Sequence, residues 1–523
     1  MSREHRGGGW AALAGIVAAG AGLALAELVA AIVDPASSPV LALGGVVVDN
    51  VPPALKDFAV EWFGTADKLV LLSTMGVVLA AGAALSGWLE LRRAPFGQVL
   101  LGAVGLVLAV ISATRPGATW LWALPAVVGV GVAVVLLRLL VARIPAPGGS
   151  VTGEPVTPDG DTPQTSGASR RTFLAWTGGT AAAGVLALVA SRALAAGSRA
   201  VGVVREAIRL PSPAVAADPV PAGADLGVPD AEPYVTPNDD FYRIDTALRV
   251  PQVDPASWSL RVTGLVDEPF EISWDELLEL PMTEHHVTLT CVSNEVGGDL
   301  IGNALWLGYP LRELLARARP QDGADMVLSS SVDGWTAGTP LEVLTDPDRE
   351  CLLAVGMNGE PLPEQHGFPA RLVVPGLYGY VSATKWVTEL KVTRFADDEG
   401  YWTPRGWSEL GPIKLQSRID VPRSGASVTA GEVVVAGVAW AQHTGIEAVE
   451  VSVDGGEWQA AEIAETVGPD TWRQWRFMWD APAGRHEVAV RATDADGQVQ
   501  TDQTAPPAPD GASGWHTIEV EVG

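Results

Sequence analysis

Hydrophobic and polar positions divide this chain of 523 residues into two unlike halves. Through the first two hundred residues, Ala, Val, Leu and Gly crowd into four runs near residues 10–33, 68–90, 97–114 and 119–141. Each is long enough to cross a bilayer as a helix, which takes about 20 residues. Basic residues mark one set of ends: Arg3 and Arg6 before the first run, Arg92 and Arg93 between the second and third, Arg138 and Arg143 closing the fourth. Between the first two runs the chain is acidic instead, with Asp34, Asp49, Asp57, Glu61 and Asp67 against Lys56 and Lys68. Lys and Arg favour the cytoplasmic side, so the asymmetry predicts a cytoplasmic N-terminus for a four-helix membrane region over residues 1–144. Arg115, in a short outer loop, runs against the trend. Pro39 to Val48 is apolar but too short to span, and is expected to lie in the interface or to re-enter.

Residues 145–169 are rich in Pro, Gly, Ser and Thr and read as a flexible linker. Ser169-Arg170-Arg171-Thr172-Phe173-Leu174 follows, and then a weakly apolar helix to about Ala196. The hexapeptide resembles a twin-arginine export signal placed inside the chain, matching it in Ser169, both arginines, Phe173 and Leu174. The plainer reading is a pair of juxtamembrane arginines obeying the charge rule. Residues 170–196 then make a fifth crossing, which delivers the rest of the chain to the outer face. The resemblance implies that this part is exported already folded around its cofactor.

From about Pro211 the chain is Pro-rich and extended, and then mixes two periodicities. Alternating stretches such as Trp258 to Val262 and Leu372 to Val374 read as strands, while Trp274 to Leu280 and Leu311 to Arg319 read as short helices. That mixture predicts an α+β domain over residues 211–410. Beyond it, residues 431–440, 446–453, 472–479 and 485–493 alternate like strands, divided by turns such as Asp454-Gly455-Gly456. Evenly spaced strands with almost no helix predict an all-β sandwich of immunoglobulin type over residues 411–523. The predicted fold is therefore multi-domain: N-terminal transmembrane helices, an α+β domain, and an immunoglobulin-like sandwich.

Composition narrows the function. The mean hydropathy of +0.22 coexists with 18% charged residues only because the apolar residues are segregated. A formal net charge of −27 excludes nucleic acid as a partner. Two cysteines, Cys291 and Cys351, cannot make a disulfide framework, although one bridge remains arithmetically open. None of the seven histidines falls in a predicted span, so no membrane haem is expected and the membrane region reads as an anchor or docking surface; no iron–sulfur ligand set is encoded either, so no such cluster is expected. With Glu27 the sole acid deep in a span, a transport path is not expected either.

Cys291 closes the run Thr288-Leu289-Thr290-Cys291-Val292-Ser293-Asn294, where a strand pattern meets a polar loop. A lone Cys at a strand end is by itself an ordinary small buried side chain. Its surroundings change that reading. The stretch TCVSNEVGGDLIGNALWLGYPLRELL is similar to the molybdenum loop of sulfite-oxidase-like molybdopterin enzymes. Met357-Asn358-Gly359-Glu360-Pro361-Leu362-Pro363, His366 to Arg371, Val374-Pro375-Gly376 and Ser382-Ala383-Thr384-Lys385-Trp386 resemble that family's cofactor segment. Thr236 to Arg243 resembles its entry segment. The resemblance covers residues 230–523, including a C-terminal sandwich that serves for dimerisation in relatives, and leaves the membrane half untouched.

The resemblance implies a molybdenum–molybdopterin cofactor with Cys291 as the protein's thiolate ligand and catalytic residue, and a soft thiolate suits a sulfur-ligated metal. It implies cofactor contacts from Asn238, Tyr242, Arg243, His366, Arg371, Ser382 and Lys385. Arg371 offers a planar fork and Lys385 a point charge to a phosphate; otherwise both would pair with surface carboxylates. Sulfite oxidases follow this Cys with Ala-Gly-Asn and arginines, whereas here Val292-Ser293-Asn294-Glu295 follows. Tyr401 to Trp407 also lacks their Asp-Tyr pair. The expected reaction is oxygen-atom transfer on a small, sulfoxide-like or otherwise neutral substrate, with a separate electron carrier. The alternative is a cofactor-free outer binding module that kept the fold.

Overall fold

The computed structural model describes residues 5–51, 62, 67–115, 118–145, 170–196 and 199–523. The chain folds as two compact units, residues 1–200 with 247–249, and residues 201–246 with 250–523. The expected linker lies, apart from Pro145, outside the described residues, as do Asp57 and Glu61.

The first unit is helical: α1 (His5–Val33), α2 (Pro39–Asn50), α3 (Asp67–Arg93), α4 (Phe96–Ala113), α5 (Leu124–Val141) and α6 (Arg170–Ala196). Among the described residues, five stretches, corresponding to all of these helices but α2, are long and apolar enough to cross a membrane. α1 is the hub. An added Cβ at Gly87 would stand 1.9 Å from the carbonyl oxygen of Ala11, and one at Gly22 would stand 2.4 Å from that of Gly129. Backbones approach this closely only through small residues, the usual solution where no water drives helices together. The contacts also fix direction. Gly8 meets Trp88 while Gly15 meets Ala83, so α3 runs against α1. Gly97 at the start of α4 meets Ser86 and Glu90 near the end of α3, so α4 turns back again. α5 opposes α1, with Gly22 against Ala133 and Ala26 against Gly129. α6 is parallel to α1: Trp10 meets Phe173 edge-on at 5.3 Å, and Gly184 meets Ala21. Arg92, Arg93, Arg138, Arg143, Arg170 and Arg171 therefore gather at the end where α1 begins.

The short apolar segment forms a helix of 12 residues, α2. Ser38 caps it by accepting from the Leu41 amide, and the Ser38 hydroxyl donates to Glu27 at 2.7 Å. Glu27, an acid within α1, is thus a staple for the α2 N-terminus.

The second unit opens with α7 (Arg199–Ala207) at the junction, then an extended strap over residues 208–246. Its strands up to residue 393 are β1 (Ser259–Gly264), β2 (Phe270–Ser273), β3 (Thr283–Thr290), β4 (Ile301–Pro310), β5 (Met326–Ser331), β6 (Thr336–Pro340), β7 (Leu352–Met357), β8 (Glu360–Pro361), β9 (Arg371–Val373) and β10 (Val387–Thr393). They make two sheets, a mixed one ordered β2-β1-β10-β5-β6 and an antiparallel one ordered β3-β4-β7-β8 with β9 on β7. Helices α8 (Trp274–Leu278) and α9 (Leu311–Ala318) form where the pattern placed them. Ser273 and Glu276 make a capping box for α8, and α9 buries Leu311, Leu314, Leu315 and Ala318 along one stripe. Asn358 (φ +50°) and Gly359 (φ +82°) make the two-residue turn between β7 and β8 that this dipeptide favours.

The C-terminal part is a two-sheet sandwich. Strands β11 (Gln416–Val421), β12 (Ala426–Val428), β13 (Gly431–Trp440), β14 (Ile446–Val453), β15 (Gln459–Ala460), β16 (Glu462–Ile463), β17 (Arg473–Ala481), β18 (Gly484–Asp494) and β19 (His516–Val522) pair as β11-β13-β17-β16 and β12-β19-β18-β14-β15. The α+β part and the sandwich share one compact unit, where the sequence pattern separates them at residue 410. The reason is a shared core. Ala224 and Tyr234 of the strap, Ile301 of β4, and Val438, Trp440 and Trp472 of the sandwich bury one another. The Trp472 indole N–H donates to the Tyr234 carbonyl at 2.8 Å.

Candidate functional site

Cys291 follows the last residue of β3 and is half-buried. The loop after it is closed by its own backbone: Cys291 N–H donates to Leu300 O and Asn294 N–H to Cys291 O, both at 3.0 Å. The Asn294 side chain accepts from the Leu300 amide at 2.8 Å. A rigid loop of this kind holds one thiol at a sheet edge. Burial pushes the Cys291 thiol up, against the opposing pull of hydrogen bonds from Ser293 and the charge of Lys385. Tyr242 and Tyr378 are also within electrostatic reach of the thiol, and burial raises both phenols, Tyr378 to about 12.

The cations converge on the same place. Arg371, at the start of β9, is 3% exposed. Its Nε donates to Leu372 O at 3.3 Å and its Nη1 to His366 O at 3.2 Å, with the guanidinium 5.1 Å from the Trp306 ring centroid. No carboxylate among the described residues pairs with it. Burial lowers it to about 10, against a small opposing effect of Tyr242. Lys385 donates to Gln365 O at 3.1 Å and pairs with Asp245 at 3.3 Å. Burial brings it down to about 8, with Asp245 pulling the other way. Arg243 grips the same Asp245 at 2.9 Å from a more exposed position. Three cations and one acid leave a positive cradle. Asp245 was not singled out in the sequence, where one acid among polar neighbours carries no signal.

His366 is fully buried, and burial followed by the charges of Lys385 and Arg371 lowers it to about 3, so the ring is neutral. Its Nε2 faces the Asn238 carbonyl at 3.2 Å, and a carbonyl only accepts, so Nε2 carries the proton. Nδ1 is then an acceptor, buried and without a partner among the described residues. Such an atom fits a ring N–H of a pterin and opposes a phosphate oxygen. Tyr242 stacks on Phe241 with centroids 5.2 Å apart, beside the same histidine.

Two further candidates are committed elsewhere. The Ser382 hydroxyl donates to Tyr378 O at 2.9 Å, closing a 3-10 turn. The Asn238 amide donates to Met357 O and accepts from Asn358 Nδ2 at 2.9 Å. Asn358 in turn donates to Thr236 O and accepts from the Leu305 amide. These side chains tie the entry segment to the sheet. Glu295 is exposed in the Cys291 loop, and Tyr380, Tyr401, Trp402 and Trp407 form an aromatic cluster beneath Arg405.

Known proteins match the second unit of this chain. The family described as "Oxidoreductase molybdopterin binding domain" matches residues 247–402, and "Bacterial Ig domain" matches residues 416–520. Mitochondrial sulfite oxidase of Mus musculus is 33% identical over 342 residues, covering 56% of this chain and 62% of that protein. Sulfite oxidase of Gallus gallus is 30% identical over 326 residues, covering 53% and 70%. That of Arabidopsis thaliana is 30% identical over 326 residues, covering 51% and 82%. The chain thus spans less than two thirds of the length of the mouse protein.

Proposed function

Because the chain belongs to the sulfite-oxidase family of molybdopterin oxidoreductases, we propose that its second unit is a molybdenum enzyme of oxygen-atom transfer. The observation that carries this reading is Arg371, a buried cation with no carboxylate partner among the described residues, which shares with the half-buried Cys291 the electrostatic surroundings of Tyr242. A buried charge without a partner is costly unless a ligand supplies one. A pterin phosphate would take the Arg371 fork and the Lys385 ammonium, with Arg243 at the more exposed edge. His366 Nδ1 would accept from a pterin N–H. Cys291 would give up its proton to become the metal's protein ligand. The molybdenum–pterin group, when bound, supplies two-electron redox chemistry for moving an oxygen atom.

Reduction of a substrate oxide consumes two electrons and two protons and releases water; the electrons would come from a separate carrier. Glu295 adds negative charge to the Cys291 loop, and a carboxylate a few ångströms away opposes a dianion by about 1 to 4 kcal/mol, depending on screening. The substrate is accordingly neutral, such as a sulfoxide, in preference to sulfite. The alternating helices and their clustered arginines support five crossings, with the second unit on the outer face of the cytoplasmic membrane. Arg170 and Arg171 at the start of α6 are the export signal in this reading, and the sandwich is a candidate dimer surface.

Metal and pterin analysis of the purified full chain, followed by steady-state kinetics with sulfite and a panel of sulfoxides, tests the reading. Bound molybdenum and turnover of the neutral oxides are expected. A folded protein without molybdenum would favour the cofactor-free module, and efficient sulfite oxidation alone would overturn the substrate assignment.

A further inference from the structure

β3 is an edge strand of its sheet, so its outer backbone groups need partners from elsewhere. The sandwich provides them. Thr288 N–H donates to Asp470 O at 3.0 Å, and Thr288 O accepts from Gln442 Nε2 at 3.2 Å. The same Gln442 amide donates to Thr290 Oγ1 at 2.9 Å, one residue before Cys291. The Trp472 amide donates to Thr288 Oγ1 at 2.8 Å. On the other side of Cys291, Arg418 Nη1 donates to Gly298 O at 2.9 Å. Arg418 is 6% exposed and is itself held by Asp420 at 2.6 Å and Glu232 at 3.5 Å. Gly297 (φ +78°) lies so close to His516 that an added Cβ would stand 2.3 Å from the imidazole. Arg418 comes from β11 and Gln442 from the turn after β13, in a domain that holds none of the candidate site residues.

We infer that Gln442 and Arg418 are positioning residues for Cys291, so that the sandwich sets where the thiol stands. The inference deepens the reading of Cys291 as a metal ligand. One flank of the ligand is tied at Thr290 and the other at Gly298, with the thiol between two anchors that do not belong to its own sheet. A ligand held this way keeps its geometry whether or not the metal is bound. The sandwich is therefore part of the site and is not separable from it as a dimerisation module.

The test uses the full chain in detergent, with Gln442→Met, Arg418→Met and Arg418→Lys. Alkylation of Cys291 by iodoacetamide is followed by mass spectrometry in cofactor-free preparations, with Cys351, which is 1% exposed, as the internal control. Loss of either anchor should speed Cys291 labelling by about tenfold through local opening, while Cys351 stays protected. Arg418→Lys should restore most of the protection. In cofactor-loaded preparations the same two Met variants should show altered Mo(V) paramagnetic resonance parameters. Unchanged Cys291 labelling in folded variants, or labelling of both cysteines together, would overturn the inference. Failure of the molybdenum reading shows itself separately, as no metal in the unsubstituted protein, and leaves the labelling result intact.

Discussion

Replacing Arg371 with Met separates what the site costs the fold from what it does for the cofactor. The guanidinium is 3% exposed and has two carbonyls and the Trp306 face for company. Burial brings it from 12.5 to about 10. At 1.36 kcal/mol per pH unit, that corresponds to about 3 kcal/mol by which the charged form is disfavoured in the cofactor-free fold. Arg371→Met removes this penalty and keeps an apolar, flexible side chain over Trp306. Against it stand two carbonyls that lose a donor, each worth roughly 1 kcal/mol. The cofactor-free variant should therefore be more stable than its parent by about 1 to 2 kcal/mol, in line with buried ions replaced by apolar groups. For a unit of this size the melting point would rise by roughly 2–6 °C. The cofactor-supplied variant should contain little molybdenum or pterin phosphate. Calorimetry of protein from a host lacking molybdopterin, paired with elemental analysis from a competent host, reads both effects. A cofactor-free variant that melts below its parent, or one that retains the full complement of molybdenum, would refute the reasoning.

The two cysteines should separate cleanly. Cys291→Ser should keep the fold and lose bound molybdenum, because a neutral hydroxyl is a poor ligand in a soft site. Cys351, whose thiol donates to Val343 O at 3.4 Å and is pushed by burial to about 12, should cost about 1–3 kcal/mol of stability as Ser and leave metal content unchanged. Equal metal loss in both variants would contradict the assignment. Burial raises the Asp470 carboxyl, but hydrogen bonds from His285 (2.9 Å) and His443 (3.1 Å) outweigh it and hold the group below its usual range. A lowered carboxyl contributes stability above its ordinary value and loses it as pH falls through the lowered one. The melting point of the parent should thus drop below about pH 4, while Asp470→Asn gives a flatter profile there; parallel profiles would contradict the linkage. A periplasmic-type reporter fused after Gly523 should be active only outside the cytoplasm, and Arg170→Lys with Arg171→Lys should prevent its export; cytoplasmic activity in the parent would reverse the topology.

Local periodicity carried the fold further than the site. The alternation over 431–440 and 446–453 coincides with β13 and β14, because one face of each strand packs into the sandwich core. The run leading to Cys291 is β3, and His366, Arg371 and Lys385 lie within electrostatic reach of one another, with Lys385 also within reach of the thiol. Asp245, Tyr378, Gln442 and Arg418 were not legible, since each reaches the site through contacts between segments distant in sequence. Asn238 and Ser382 illustrate the converse. Their types fit a polar site, yet nearby carbonyls take their hydrogens first. The sequence pattern changes at residue 410, while the buried Tyr234 strap binds both sides of it into one unit.

The parallel contact of α1 with α6 bears on biosynthesis. In the membrane topology proposed above, α1 is synthesised well before α6, so its Ala21 flank and Trp10 edge would face lipid while the intervening helices insert. If the second unit crosses only after folding around its cofactor, the bundle must wait, four helices strong and one short, for the passage of a finished enzyme. Closure of Phe173 and Gly184 onto α1 is then the last event of assembly. An enzyme that failed to mature would leave that flank open, giving membrane quality control a signal that reports on chemistry done in another compartment.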